Sequence, residues 1–481
     1  MGKALSNSIY YTMGAVVKAS ASFLLLPVFT NILGAEQYGI LSLLQTFSTI
    51  LATVMTLAVE RSLYRLFYDY HTEKEQGRFL STVFWLICIN SVIVIILTIL
   101  LGKIIVQYIG DVDVYAVFSP VVIYTFFSAL INFSQIIMQV EQKGGQYLKV
   151  SLLILIIYNV VALLLVFFYS TTVKSLVYAS FVTYLVVTPI AYYKIKEKIH
   201  LEFDKKIILS IFKFSSPLLL MIIFSWVLHF SDRLFIAKLV NYEYAGIYSL
   251  AAKIVSIITL FAGAVFQAYG PYFYQIANTM DTCEAKIKLK ESNSIITLII
   301  CLLGILIVLF SNTVLNLLFS DEYAPALVFI YLLVISMVFT QQSGLLNLMI
   351  YQNKKTLGIS LITITVGVLS VVLNYWFIPV YGAVTAGITN LVVGILMMTL
   401  TFLLARRNYY IPVNIPLLLY AVILMLLYAV CDYMIDSHWL AMITKLCMLG
   451  AWVLLGRQLG LINLGKMNEI AGVLFEKIHR H

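Results

Sequence analysis

Two lysines stand where an apolar chain has no ordinary use for them. Lys18 lies nine residues into a run of about 25 mainly apolar residues that starts at Ile9, which is about 14 Å along a helix rising 1.5 Å per residue. Lys253 lies about as deep in a second apolar run, 244–272. An ionisable side chain in hydrocarbon is costly and marks a functional site unless a partner neutralises it. Neither lysine is near enough to a helix end to snorkel out. Each therefore lines a water-filled cavity or packs against a carboxylate or a helix C-terminus. Two cations facing one cavity would select an anion, phosphate above all, through charge-assisted hydrogen bonds.

Their neighbours extend the pattern. At helical spacing Tyr11, Gly14, Lys18 and Ser22 share one face, and Ser249, Lys253, Ser256, Gly263 and Gln267 share another. Ser42, Gln45, Thr49, Thr56 and Glu60 stripe a further apolar run, and Ser225, His229 and Asp232 stripe the one before Lys253. In lipid such faces must turn toward one another or toward water. For any single serine, threonine or glycine, interhelical hydrogen bonding and close packing explain as much; four such faces together point to a shared central cavity.

Other charged and polar residues keep two readings. Arg61, beside Glu60, either snorkels, pairs locally or touches substrate. Asp232 and Arg233 line a cavity mouth or serve structure. His229 alone is more often a satisfied core histidine than a proton relay. Asn132, Gln135, Gln139, Gln341, Gln342 and Asn347 suit sugar hydroxyls or interhelical hydrogen bonds. Deep carboxylates are scarce, which argues against a carrier of cationic drugs and leaves no coupling-ion site to name.

The elements that must position these residues are transmembrane helices. Of 481 residues, 62% are hydrophobic and only 11% charged, whereas a soluble domain carries about a quarter charged residues. With about 20 apolar residues per span, fourteen segments are predicted, near 9–33, 40–60, 79–101, 114–139, 148–169, 175–193, 210–238, 244–272, 294–318, 325–351, 356–377, 382–405, 414–431 and 439–456. The Ile9 run has no small-residue cleavage site and reads as a first span, not a signal peptide. The five cysteines form no CxxC pair and no metal-ligand spacing, so neither a metal nor a cofactor is expected.

The net charge of +9 is a topology signal. With the N-terminus cytoplasmic, about 22 of the 31 basic residues fall on inner loops and termini, including Lys194, Lys196, Lys198, Lys205 and Lys206 in one loop; the outer loops hold roughly three, Lys103, Lys174 and Lys238. The charge therefore does not call for nucleic acid. Both termini are expected in the cytoplasm.

The chain also repeats itself. The segment 31–43 resembles 238–250 at an offset of 207, pairing Glu36 with Glu243, Gly39 with Gly246, Ser42 with Ser249 and Leu43 with Leu250. An even number of spans separates the copies, so they share one orientation, as in parallel-repeat transporters. The expected organisation is a six-helix lobe over 1–200, a second over 201–407, and an accessory helix pair with a cytoplasmic tail over 408–481.

Asn7-Ser-Ile-Tyr-Tyr11, Leu33-Gly-Ala-Glu-Gln-Tyr-Gly39, Ser231-Asp-Arg233, the 244–253 stretch ending in Lys253 and Asn374-Tyr-Trp-Phe-Ile-Pro-Val-Tyr-Gly-Ala383 together resemble the polysaccharide transport family of Wzx-type O-antigen and capsule flippases. The likeness spans the chain; Thr385 stands where relatives usually show glycine or alanine. It implies the fold of the multidrug/oligosaccharidyl-lipid/polysaccharide exporter superfamily, an all-α polytopic membrane protein with two six-helix lobes around a central cavity. The implied activity is transfer of undecaprenyl-diphosphate-linked oligosaccharide repeat units by alternating access, with no enzyme chemistry. Lys18 and Lys253, then Arg61 and Arg233, would hold the anionic part, with Tyr11, Ser22, Gln45, Ser225, His229, Asp232, Ser256 and Gln267 lining the cavity. Implied partners are the lipid-linked glycan, membrane lipids, and a polysaccharide polymerase and chain-length regulator. A lipid II or teichoic-acid precursor flippase, or a drug/cation antiporter of the same superfamily, are the neighbouring alternatives. A membrane polymerase or ligase fits worse, because the outer loops are short and nearly uncharged.

Overall fold

In a computed structural model, described over residues 25–109, 112–280, 282–353, 356–407, 410–434 and 438–458 together with Tyr10, Met13, Gly14 and Phe23, the secondary structure of those residues is helical. The elements are α1 (Leu26–Thr56), α2 (Val59–Leu66), α3 (Glu73–Leu100), α4 (Gly102–Ile109), α5 (Ser119–Val140), α6 (Gly144–Phe168), α7 (Val173–Tyr193) and α8 (Lys205–Leu239). They continue as α9 (Tyr242–Thr279), α10 (Thr282–Leu318), α11 (Ala326–Gln352), α12 (Thr356–Tyr381), α13 (Val384–Arg406), α14 (Ile415–Met434) and α15 (His438–Gln458). Among the described residues eleven helices are long and apolar enough to cross a membrane, and α8, bent by 45° between Lys205–Ser216 and Met221–Leu239, makes a twelfth. The predicted span 9–33 lies largely outside the described residues. The last, 439–456, corresponds to α15, whose apolar stretch is the shorter Met442–Leu454.

The chain divides into two compact units, Met1–Gly246 and Ile247–His481. In the first, Val59, Phe79, Val83, Phe133, Ile137 and Ile211 belong to one buried apolar cluster, and Ile131, Met138, Val150, Val187 and Ala191 to another. In the second, α11 presents Ile330, Val334, Val338 and Leu345, all fully buried. There Gly387 and Gly394 let α13 approach α11: a Cβ on Gly394 would come within 2.8 Å of the Ser336 carbonyl oxygen.

Two backbone breaks shape α1 and its junction with α2. Gly34 has φ 74° and ψ 169° inside α1, a conformation essentially confined to glycine. The predicted turn 34–39 therefore collapses to one residue, and helix resumes at Ala35. At the other end, Leu57 and Ala58 are both left-handed, with φ of 52° and 53°, which costs about 1–2 kcal/mol for each non-glycine residue. The break separates α2, so Glu60 and Tyr64 ride on a short helix of their own.

Asn90 on α3 supports this second break. Its side-chain amide donates to the carbonyls of Val54 and Met55, both at 2.8 Å, which the interrupted helix leaves short of partners. Asn90→Leu keeps the approximate size and removes the donor. The expected cost is about 1–3 kcal/mol, the usual penalty for stranding buried polar groups, read as a lower unfolding temperature of the purified protein in detergent. An unchanged transition would show that the break holds without Asn90.

The basic stretch 194–206 is tied down within the first unit. Arg78 pairs with Glu202 at 3.1 Å and Asp204 at 3.9 Å. The Ser81 hydroxyl accepts the His200 amide at 2.8 Å, and the Trp85 indole donates to the His200 carbonyl at 3.0 Å. Lys143 and Lys198 both pair with Glu141. Exposed ion pairs of this kind add little stability; the hydrogen bonds to backbone give the segment its path over α3.

Candidate functional site

The two copies of the repeat meet at their glycines. A Cβ built on Gly39 would overlap the carbonyl oxygen of Tyr242 and lie 2.8 Å from the Gly246 nitrogen. A Cβ built on Gly246 would overlap the carbonyl oxygen of Ala35 and lie 2.9 Å from the Gly39 nitrogen. The relation is reciprocal, because the offset of 207 that pairs Gly39 with Gly246 also pairs Ala35 with Tyr242. Each carbonyl belongs to the first turn of a helical stretch, and each glycine hydrogen faces the opposing oxygen, as in Cα–H···O contacts at close helix crossings. The same offset links Gln135, whose amide donates to Ser151 at 3.1 Å, with Gln342, whose carbonyl accepts from Thr297 at 3.1 Å. Both glutamines are buried and act as interhelical hydrogen-bond partners.

In the first unit, the polar faces of α1 and α8 adjoin. The Trp226 indole N–H donates to the Thr46 carbonyl at 3.1 Å and the Thr49 hydroxyl at 3.0 Å. One turn further along α8, His229 Nδ1 lies 2.7 Å from the Ser225 carbonyl. A carbonyl oxygen only accepts, so Nδ1 carries the hydrogen when the ring is neutral, and Nε2 is left as an acceptor. Gln45, Thr49 and His229 are exposed near the middle of apolar helices, a position polar groups occupy when the space beside them is watered. Asp232 is only 1% exposed and sits behind that face. Arg233 is half-buried with its guanidinium 5.1 Å from the Phe230 ring centroid, a cation–π distance.

A second polar group lies around α2. Asn132 donates to Glu60 Oε1 at 2.5 Å, and Tyr64 donates to Gln139 by a short hydrogen bond. Glu60 and Tyr64 are thus joined to α5, and the amides that suited sugar hydroxyls are in part committed to protein partners. Arg61 stands between Glu60 and Tyr64 in sequence, but its side chain lies outside the described residues, as do Tyr11, Lys18 and Ser22.

In the second unit, α9 carries the Lys253 stripe. Lys253 and Ser256 are half-buried, Thr259 and Gln267 are exposed, and a Cβ on Gly263 would meet nothing within 4 Å. The stripe therefore borders open space at Gly263, with Gln267 exposed beyond it, while Lys253 and Ser256 are partly packed. Ser256 returns its hydroxyl to the Lys253 carbonyl at 2.6 Å, and Gln341 of α11 donates to Thr259 at 3.4 Å. Thr259 is an addition to the stripe; its position six residues after Lys253 and three after Ser256 is the sequence signal for it. No group of three or more potential metal ligands occurs among the described residues.

The fold matches the lipid II flippase MurJ in an inward closed conformation, with TM-score 0.67, 13% identity, and coverage of 92% of this chain and 99% of that one. It also matches an inward-facing multidrug resistance MATE family transporter (TM-score 0.65, 14% identity, 81% and 94% covered). A third match is a MOP superfamily transporter from Pyrococcus furiosus described as having a binding pocket of reversed polarity (TM-score 0.54, 15% identity, 84% and 95% covered). Residues 28–328 match the model of the polysaccharide biosynthesis protein family, and the chain belongs to that family. A protein of the Lsg locus of Haemophilus influenzae is 25% identical over 280 residues, which span 57% of this chain and 66% of that protein, just under two thirds of its length.

Proposed function

We propose that this protein is a flippase that carries undecaprenyl-diphosphate-linked oligosaccharide repeat units across the bacterial cytoplasmic membrane, with both termini in the cytoplasm. Lys253 carries the reading: a half-buried lysine deep in a 38-residue helix, on a polar stripe that borders open space further along, at Gly263. A cation held there attracts a diphosphate or an acidic sugar, because the low dielectric strengthens the pairing. Lys18 is its counterpart from the first lobe, 1–200, and Arg61 and Arg233 serve as secondary cations. Gln45, Ser225, His229, Ser256 and Gln267 offer hydrogen bonds to sugar hydroxyls, and Tyr11 and Ser22, at helical spacing from Lys18 in the sequence, and Asp232 are further cavity candidates. By this reading residues 1–200 and 201–407 are the two lobes of an alternating-access carrier and 408–481 an accessory segment, and the lipid tail remains in the bilayer. Membership of a polysaccharide biosynthesis family favours this cargo over a cationic drug.

The test is reconstitution into vesicles loaded with a polyprenyl-diphosphate oligosaccharide in one leaflet, with appearance in the other followed by a membrane-impermeant glycosidase. Protein-dependent transfer, competed by unlabelled lipid-linked oligosaccharide and not by an organic cation drug, is the expected result. Transfer of the drug in place of the glycan would overturn the assignment; competition by lipid II alone would move it to a peptidoglycan precursor.

A further inference from the structure

The first unit contains an apolar cavity that the transport reading does not use. Phe47, Ile104, Ile105, Ile109, Trp226 and Leu234 line a space of about 260 Å³. The one polar atom of these side chains, the Trp226 indole nitrogen, is turned away to Thr46 and Thr49. Three of the six come from α4, the short helix after α3 in a segment predicted as a plain loop. Val106 and Ile109 of α4 are buried, while Lys103 and Gln107 are exposed. That division is the signature of a helix lying in the membrane interface.

The cavity has a cationic rim on one side. Lys238 lies one helical turn beyond Leu234 on α8, and its ammonium donates to the Gln107 carbonyl at 3.4 Å. Lys103 precedes Gln107 by four residues, on the same face of α4. An apolar slot with Lys238 bonded to α4 beside it and exposed Lys103 next to the lining residue Ile104 matches a molecule with a hydrocarbon chain and a negative head group. The slot is below the usual 300–1,000 Å³ of a drug-sized site and suits a segment of one chain. Water is a poor occupant, since it would find no hydrogen-bond partners in the slot.

We propose that this cavity seats one acyl chain of an anionic phospholipid, whose head group lies against Lys103 and Lys238. With both termini cytoplasmic, the lipid comes from the outer leaflet, but the site itself does not depend on the cargo reading.

Native mass spectrometry of the full-length protein, titrated in neutral detergent with phosphatidylglycerol or phosphatidylcholine, tests this. The wild type is expected to retain one phosphatidylglycerol in preference to phosphatidylcholine. Lys103→Gln and Lys238→Gln, both at exposed positions, are each expected to weaken phosphatidylglycerol retention about fivefold, the effect of one lysine at an anionic lipid surface, and to leave phosphatidylcholine unchanged. Leu234→Phe, which fills the slot, is expected to lower retention of both. Retention of phosphatidylglycerol unaltered in all three variants would overturn the proposal. So would occupancy by added polyprenyl phosphate in preference to phosphatidylglycerol, which would assign the slot to the cargo's tail.

Discussion

Lys253→Ala is expected to reduce surface polysaccharide at least tenfold in a strain lacking its own flippase, at unchanged protein level, and Lys18→Ala is expected to do the same. The size comes from the chemistry: hydrogen bonds to charged groups contribute about 1.5–3 kcal/mol, and about 1.4 kcal/mol is a factor of ten. Removing a charge that contacts an anion inside a low-dielectric cavity belongs in the upper part of that range. Lys253→Arg should retain partial activity, since it keeps the charge but changes the reach and geometry of the donors. The helix should survive the alanine, because alanine is the best helix former and Lys253 is half-buried rather than a core residue. Normal polymer in both alanine variants would sink the anion-cavity reading, leaving Lys253 as a packing lysine. The fold and the family assignment would be unaffected.

The second large effect is expected at the glycine crossing. Gly39→Ala and Gly246→Ala each drive a methyl group into an opposing backbone carbonyl, and backbone cannot rotate aside as a side chain can. Overpacking costs about 1–3 kcal/mol in a well-packed site and more where the neighbour is rigid. Each variant is expected to unfold several degrees lower in detergent and to lose most transport. The double variant should fall short of the sum, because one separation of the two segments relieves both clashes. Gly263→Ala is the internal control: its Cβ meets nothing within 4 Å, and it is expected to melt like the wild type or slightly higher, as alanine replaces glycine in a helix. If Gly39→Ala melts and transports normally while Gly263→Ala does not, the close crossing has no role.

Several features of the molecule are legible residue by residue. The membrane-spanning segments come from runs of apolar residues, and α9, α10 and α11 lie where those runs lie. The repeat is visible as Glu36/Glu243 and Gly39/Gly246, and the structure adds Gln135/Gln342 at the same offset. Lys253 stands out because a charge in an apolar run is conspicuous without any partner. Asn90 also sits within an apolar run but carries no comparable signal: a lone amide has many possible partners in lipid, and only the break after Thr56 says which carbonyls need it. The break itself is hidden, since Leu57 and Ala58 are unremarkable helix formers that tertiary packing forces into the left-handed region. The segment after α3 reads as a loop because eight residues are too few for a span, although Ile104, Ile105 and Ile109 already mark an apolar face.

What the sequence determined by itself is the solvent of the protein, the approximate course of its spans, the asymmetry of its basic residues and the duplication behind it. These are properties of hydrophobic run length, charge placement and self-similarity, all read along one dimension. What only the tertiary structure decided is which polar groups are committed to hydrogen bonds in the packed interior and which border open space. Gln135 and Gln342 are buried in hydrogen bonds, Asn132 is taken by Glu60, Trp226 is fastened to Thr46 and Thr49, and α9 borders open space at Gly263. The reason is that a polar side chain in an apolar helix has the same sequence signature whether it bonds a neighbouring helix or lines a cavity. The difference lies in a partner 16 to 180 residues away, or, at Gly263, in the room left beside the helix.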